Sequence, residues 1–120
     1  MVFAGAGLGG VARYALGMWI MSRYTGRFPM GTFVINVSGS FVIGLLMALM
    51  LERFDPHPNL RLFLMVGVLG GYTTFSTFEL EIFEALRTGE RATAPLYAAA
   101  SVAAGFIAVW LGYALGAKRS

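Results

Sequence analysis

The sequence predicts an all-α membrane protein with four transmembrane helices per chain, the third broken mid-membrane, in a single domain spanning residues 1–120. Three observations predict it. Hydrophobic residues make up 58% of the chain and charged residues 12%, against about 25% charged in a soluble domain. A small soluble fold keeps too much of its surface wet to hide that apolar content. The apolar residues also fall into four segments of about 20 residues, the length that crosses a hydrocarbon core of about 30 Å as helix. Finally, there are 16 glycines, and small residues let membrane helices approach closely.

The segments are residues 1–21, 32–51, 60–80 and 94–115. Helix is selected over strand because each lipid-embedded amide must find its partner within its own segment. Pro29, Pro56, Pro58 and Pro95 stand in the polar breaks or at a helix start, where proline is tolerated. Gly5 and Gly9, Gly67 and Gly71, and Gly112 and Gly116 each have the GxxxG spacing of close helix contacts. The first segment is not read as a cleaved leader, since its first basic residue, Arg13, lies inside the apolar run. Gly5-Ala6-Gly7-Leu8-Gly9-Gly10 matches a dinucleotide-binding pattern. No strand precedes it and no acidic residue follows about 20 positions later, so that reading is rejected.

Several chemistries are excluded. Without cysteine there is no disulfide, thiolate metal site or thiol nucleophile. His57, between two prolines, reads as a loop residue. No Ser/His/Asp set or phosphate loop indicates an enzyme, and no basic cluster indicates nucleic acid. The net charge of +3 comes from residues flanking the spans. Arg53, Arg61, Lys118 and Arg119 fall on one side of a four-span chain; Arg23, Arg27, Arg87 and Arg91 fall on the other. The bias that normally orients a membrane protein is absent. The simplest consequence is insertion in both orientations and an antiparallel dual-topology homodimer with its two-fold axis in the membrane plane.

Polar groups inside spans are costly and commonly functional. Arg13 either snorkels or pairs with a carboxylate, or it gives a pore entrance positive potential. Thr32, Asn36 and Ser40 lie at i, i+4 and i+8 on one helix face. Serine and threonine can bond the carbonyl four residues back. Asn36 has two donors and an acceptor to satisfy, as interhelical glue or as part of a donor row for an anion. Gly70-Gly71-Tyr72-Thr73-Thr74-Phe75-Ser76-Thr77-Phe78 makes poor helix. A break at membrane depth frees carbonyls for a cation and N–H groups for an anion. Phe75 and Phe78 either pack or offer weakly electropositive ring edges. Tyr97 and Ser101 place hydroxyls one turn apart on the fourth segment. Of Glu81 and Glu84, one is expected at a pore mouth or an arginine, the other in solvent.

Three stretches resemble the Fluc (CrcB-type) fluoride channel family: Gly9-Gly10-Val11-Ala12-Arg13-Tyr14; Gly31-Thr32-Phe33-Val34-Ile35-Asn36-Val37-Ser38-Gly39-Ser40-Phe41; and the glycine–threonine–phenylalanine stretch from Gly70 to Phe78. The resemblance covers the first three segments and reaches the fourth through Tyr97 and Ser101. Gly10 stands where the family often has alanine, and Gly105 where some members have a further serine. The resemblance implies a dual-topology dimer in the inner membrane of a prokaryote, with two antiparallel pathways that export cytoplasmic fluoride. It implies that Asn36, Phe75 and Phe78 line each pathway, that Thr32, Tyr97, Ser101 and Glu81 continue it, and that Arg13 faces a vestibule. It further implies a structural sodium (Na+) at the dimer centre on the carbonyls of Gly70 and Thr73. A dual-topology multidrug exporter would also match in size and charge balance, but it depends on a carboxylate in the first span, and none is present. A non-transporting assembly subunit would leave Asn36 and the broken segment to packing alone.

Overall fold

The structure is a computed structural model describing residues 1–53 and 55–117. Every regular element among them is helical: α1 (Val2–Arg23), α2 (Met30–Glu52), α3 (Pro58–Arg61), a π-helical segment (Leu62–Val68), α4 (Leu69–Tyr72), α5 (Ser76–Arg87) and α6 (Thr93–Gly116). Helices α2 and α6 are long and apolar enough to cross a membrane. Helix α1 has 22 residues, but Arg13 and five glycines dilute its hydropathy. The third apolar segment, residues 60–80, takes in the end of α3, the π segment and α4 in direct succession, then an interruption and the start of α5. Lys118 and Arg119, half of one side of the charge tally, lie outside the described residues.

Local chemistry sets the helix ends. Pro58 occupies the first turn of α3, where its missing N–H costs nothing. His57 caps that turn, its Nδ1 accepting from the Asn59 N–H at 3.0 Å, so it is a loop residue as the sequence suggests. Helix α5 runs on to Arg87, past the expected end at residue 80. Its extension is amphipathic, with Leu80, Phe83 and Leu86 exposed on one side and Glu84 bonded to Arg87 at 2.6 and 3.1 Å. That hydrogen bond also holds the Glu84 carboxyl below its ordinary range. The Thr88 hydroxyl then caps the Glu84 carbonyl at 2.8 Å. Gly89 turns the chain at φ 86°, a left-handed conformation that suits glycine.

Packing follows the glycine pairs. Helix α1 lies on the π segment and α4, and α2 lies along α6. A Cβ at Gly9 would overlap the Val68 carbonyl oxygen, and one at Gly71 the Ala6 carbonyl oxygen. On the other pair of helices, a Cβ at Gly112 would overlap the Phe41 carbonyl oxygen. All three GxxxG pairs read from the sequence therefore lie at backbone-to-backbone contacts. Side-chain bridges join the ends. Arg27 Nε stands 3.6 Å from Glu90 Oε1 across the first and third connections. Arg53 Nε donates to the Gly116 carbonyl at 2.9 Å, tying the end of α2 to the end of α6.

The buried core is thin: Ile20, Ile35, Ala48, Met50, Leu69, Phe78, Ala94, Tyr97 and Ala108 are its apolar members. Large apolar side chains instead point outward. Val102, Phe106 and Trp110 on α6 are 68, 72 and 67% exposed. A contiguous apolar face of this kind does not persist in water. It fits lipid or a partner, and it separates α6 from the core helix of a soluble protein, which would be mostly covered. At one end of α1, Arg23 lies over the Trp19 ring at 4.8 Å, a pairing of aromatic body and cation suited to a membrane–water boundary.

Candidate functional site

The helical path stops between Tyr72 and Ser76, and side chains from two other helices bond the main chain in and just before the gap. Thr73 turns extended, at φ −86° and ψ 158°. This is where two glycines and successive threonines weaken helix. Asn36 on α2 clasps Thr74 on both sides. Its Nδ2 donates to the Thr74 carbonyl at 2.9 Å, and its Oδ1 accepts from the Thr74 N–H at 2.8 Å. The two contacts fix the amide's orientation and leave one Nδ2 hydrogen uncommitted. Thr74 Oγ1 accepts from the Thr77 N–H at 3.3 Å, which satisfies one of the four orphan donors that open α5.

Arg13 reaches the same place from α1. Its Nε donates to the Gly71 carbonyl at 3.1 Å, and among the described residues it makes no ion pair. Its one side-chain hydrogen bond among the described residues is to main chain rather than to a carboxylate. Leu69 O accepts from both the N–H and the hydroxyl of Thr73, each at 3.0 Å. Among the described residues no donor reaches the carbonyls of Gly70 or Thr73. Gly70 is exposed, with open space where a Cβ would stand. Free carbonyl oxygens are the ligands a hard monovalent cation takes, so the donor set fits sodium.

Two grooves flank the interruption. One, of about 420 Å³, is lined by Asn36, Ser40, Phe75, Phe78 and Ser101, together with Gly70 and Thr73. The Ser101 hydroxyl is buried without a hydrogen-bond partner among the described residues, and a buried unpaired polar atom calls for an explanation. The second, of about 270 Å³, is lined by Arg13, Thr32, Thr77 and Glu81. Thr74 lines both. The row Thr32, Asn36, Ser40 is thus divided between the grooves, and Ser40 spends its hydroxyl on the Asn36 carbonyl at 2.8 Å. Tyr97 and Ser101 also part. Tyr97 is buried and donates to Glu81 Oε1 at 2.8 Å. Glu81 lines the second groove, while Glu84 is exposed and paired with Arg87.

The aromatic pair is asymmetric. Phe78 is buried and Phe75 is 73% exposed, with ring centroids 6.0 Å apart. Phe78 meets Tyr97 edge-on at 5.0 Å, and Phe28 meets Tyr97 likewise at 5.2 Å. Sequence reasoning missed Phe28, which sits in a polar break, and Thr74, whose part is played by its main chain as much as its hydroxyl. It also missed the hydroxyl pair of Ser38 and Tyr72, 2.8 Å apart. The double threonine after two glycines was the available signal for Thr74. Ser38 and Tyr72 stand inside the stretches that carry the resemblance, but nothing in the sequence pairs them, and nothing marks Phe28.

Comparison with known proteins identifies the family. The family model described as CrcB-like protein, Camphor Resistance (CrcB) matches residues 1–113. A protein of Solibacter usitatus, named fluoride-specific ion channel FluC, is 52% identical over 99% of this chain and 97% of its own length. Proteins of the same name from Acidobacterium capsulatum and Rhizobium meliloti are 48 and 44% identical, each over 96% of this chain and 92% of its own length. The match spans every stretch that frames the interruption, from Arg13 through Asn36 to Phe78 and Tyr97, and the chain belongs to the CrcB family.

Proposed function

We propose that the protein is a fluoride-selective ion channel that exports cytoplasmic fluoride by passive conduction across the inner membrane of a prokaryote. The observation that carries the reading is the first groove, whose lining brings together Asn36, Ser101, Phe75 and Phe78. The relatives' name supplies the ion. Fluoride is small and strongly hydrated, so passage requires substitute donors along the path. It also requires that no site hold the ion tightly, since conduction needs binding weak enough to leave. One free Nδ2 hydrogen, hydroxyls and ring edges satisfy both demands, whereas a row of buried lysines would trap the anion.

In this reading Asn36, Phe75 and Phe78 line the pathway, Ser101 continues it, and Thr32, Tyr97 and Glu81 extend it through the second groove to a vestibule at Arg13. Four crossings by the chain, two opposed copies and two antiparallel pathways complete the assembly. The free carbonyls of Gly70 and Thr73 from both copies would hold the sodium. The exposed apolar faces of α1 and α6 give such an assembly both a partner surface and a lipid surface.

The deciding experiment is anion efflux from liposomes containing the purified protein, with fluoride and chloride electrodes in parallel. Fast fluoride release with negligible chloride release is expected. No fluoride release from verified dimer would sink the reading, and organic cation transport would then be assayed. In the same liposomes Phe75→Ile should suppress fluoride release about tenfold or more while the dimer persists, since loss of a favourable ring-edge contact worth about 1.4 kcal/mol is a tenfold effect. The exposure of Phe75 makes this change harmless to the chain's own packing, so unchanged flux would remove its ion-facing role. The balanced charge tally leads to a further expectation: a C-terminal tag should be cleavable by protease from both faces of the membrane. Uniform protection of that tag in sealed cells would argue for one orientation.

A further inference from the structure

Arg13 holds the interruption in a way that its charge alone does not explain. Helix α4 ends beside it, and the last carbonyls of a helix lack partners. The Leu69 carbonyl is met by Thr73 and the Thr74 carbonyl by Asn36. The Gly71 carbonyl is met by Arg13, and by its Nε rather than by either terminal nitrogen. The backbones of α1 and α4 touch at this level. A Cβ at Gly71 would overlap the Ala6 carbonyl oxygen, and one at Gly9 would approach the Tyr72 nitrogen at 2.8 Å. Arg13 lies one turn beyond Gly9 on the same face, so its side chain is fixed at the root by backbone contact and at Nε by the bond. The residue also lines the second groove, with Thr32, Thr77 and Glu81.

We propose that Arg13 is a positioning residue of the interruption. Its Nε–H pins the Gly71 carbonyl, which fixes the peptide planes on either side and leaves the Gly70 and Thr73 carbonyls free for a monovalent cation. The proposal rests on the cation reading given above. It differs from a vestibule role in what must be kept, because a vestibule needs only the positive charge while positioning needs a donor at the Nε position.

Two substitutions separate the roles. In Arg13→Gln the amide nitrogen stands at the same distance along the side chain as Nε, so the donor remains and the charge goes. In Arg13→Met shape is roughly kept and both are lost. The readout is thermal unfolding of the purified protein in detergent over a sodium chloride series, with N-methyl-D-glucamine chloride holding ionic strength constant. Wild type should gain stability with sodium. Arg13→Gln should need a sodium concentration within about threefold of wild type, and Arg13→Met about tenfold more, the scale of one hydrogen bond to a charged donor. Assembly of Arg13→Gln but not Arg13→Met would support the same conclusion. Equal impairment of the two variants, or failure of both to assemble, would assign Arg13 to charge and overturn the proposal. So would wild-type behaviour of both. A wild type indifferent to sodium would instead sink the cation reading itself, and the proposal with it.

Discussion

Asn36→Ala should lower fluoride release from liposomes by roughly a hundredfold, with dimer still recoverable. The substitution strips partners from both the N–H and the carbonyl of Thr74. Leaving a buried polar group unpaired costs about 1–3 kcal/mol, so two of them cost about 3 kcal/mol, and each 1.4 kcal/mol is roughly a tenfold effect. In a regular helix those groups would find other partners. At the interruption they have no neighbouring turn to fall back on, so the chain between α4 and α5 loses its shape. The uncommitted Nδ2 hydrogen goes as well. Ser40→Ala is the matched comparison. Its hydroxyl is turned onto the Asn36 carbonyl of its own helix, so its loss should change flux by less than about threefold, as for exposed or self-satisfied hydroxyls. Equal effects of the two substitutions would reduce Asn36 to packing.

Gly9→Ala should be the most damaging change to the fold that adds only one methyl group. That methyl would overlap the Val68 carbonyl oxygen and crowd the Tyr72 nitrogen. Both are main chain, so no rotamer change relieves the clash, and α1 must move away from α4. Overpacking costs about 1–3 kcal/mol where side chains can yield, and here they cannot, so the upper end or beyond is expected. Separation at this point also draws Arg13 off the Gly71 carbonyl. Gly10, the next residue, has nothing within 4 Å of a Cβ position, and Gly10→Ala should leave the protein intact. Size-exclusion profiles and thermal unfolding in detergent check the pair. If Gly9→Ala were as stable as Gly10→Ala, the close approach of α1 and α4 would be wrong.

Much of this was legible in residue order. Segment lengths and apolar content gave the helices, because a chain with so few charges has little choice of solvent. The GxxxG pairs gave the close contacts, because only glycine admits backbone at that distance. The Gly70–Phe78 stretch gave the place where α4 stops and α5 restarts, because glycine and threonine hold helix poorly. Asn36 stood out because a neutral amide cannot satisfy itself on its own helix.

Other features were set only by how the helices meet. The π-helical turn through Leu62–Val68 has no residue signal, since Leu, Phe, Met and Val suit an α-helix as well. The division of Thr32 and Asn36 between two grooves, and of Tyr97 and Ser101 between Glu81 and an unpaired site, depends on which neighbour lies opposite each turn. Arg13 is the sharpest case. The sequence determined that a cation stands inside the first helix and must be answered by something. The tertiary structure decided that the answer is a carbonyl released by a helix end 58 positions away. A periodic pattern encodes which face of a helix a residue occupies. The partner across that face is decided by the packing of chain segments distant in sequence, and a single helix carries no record of it.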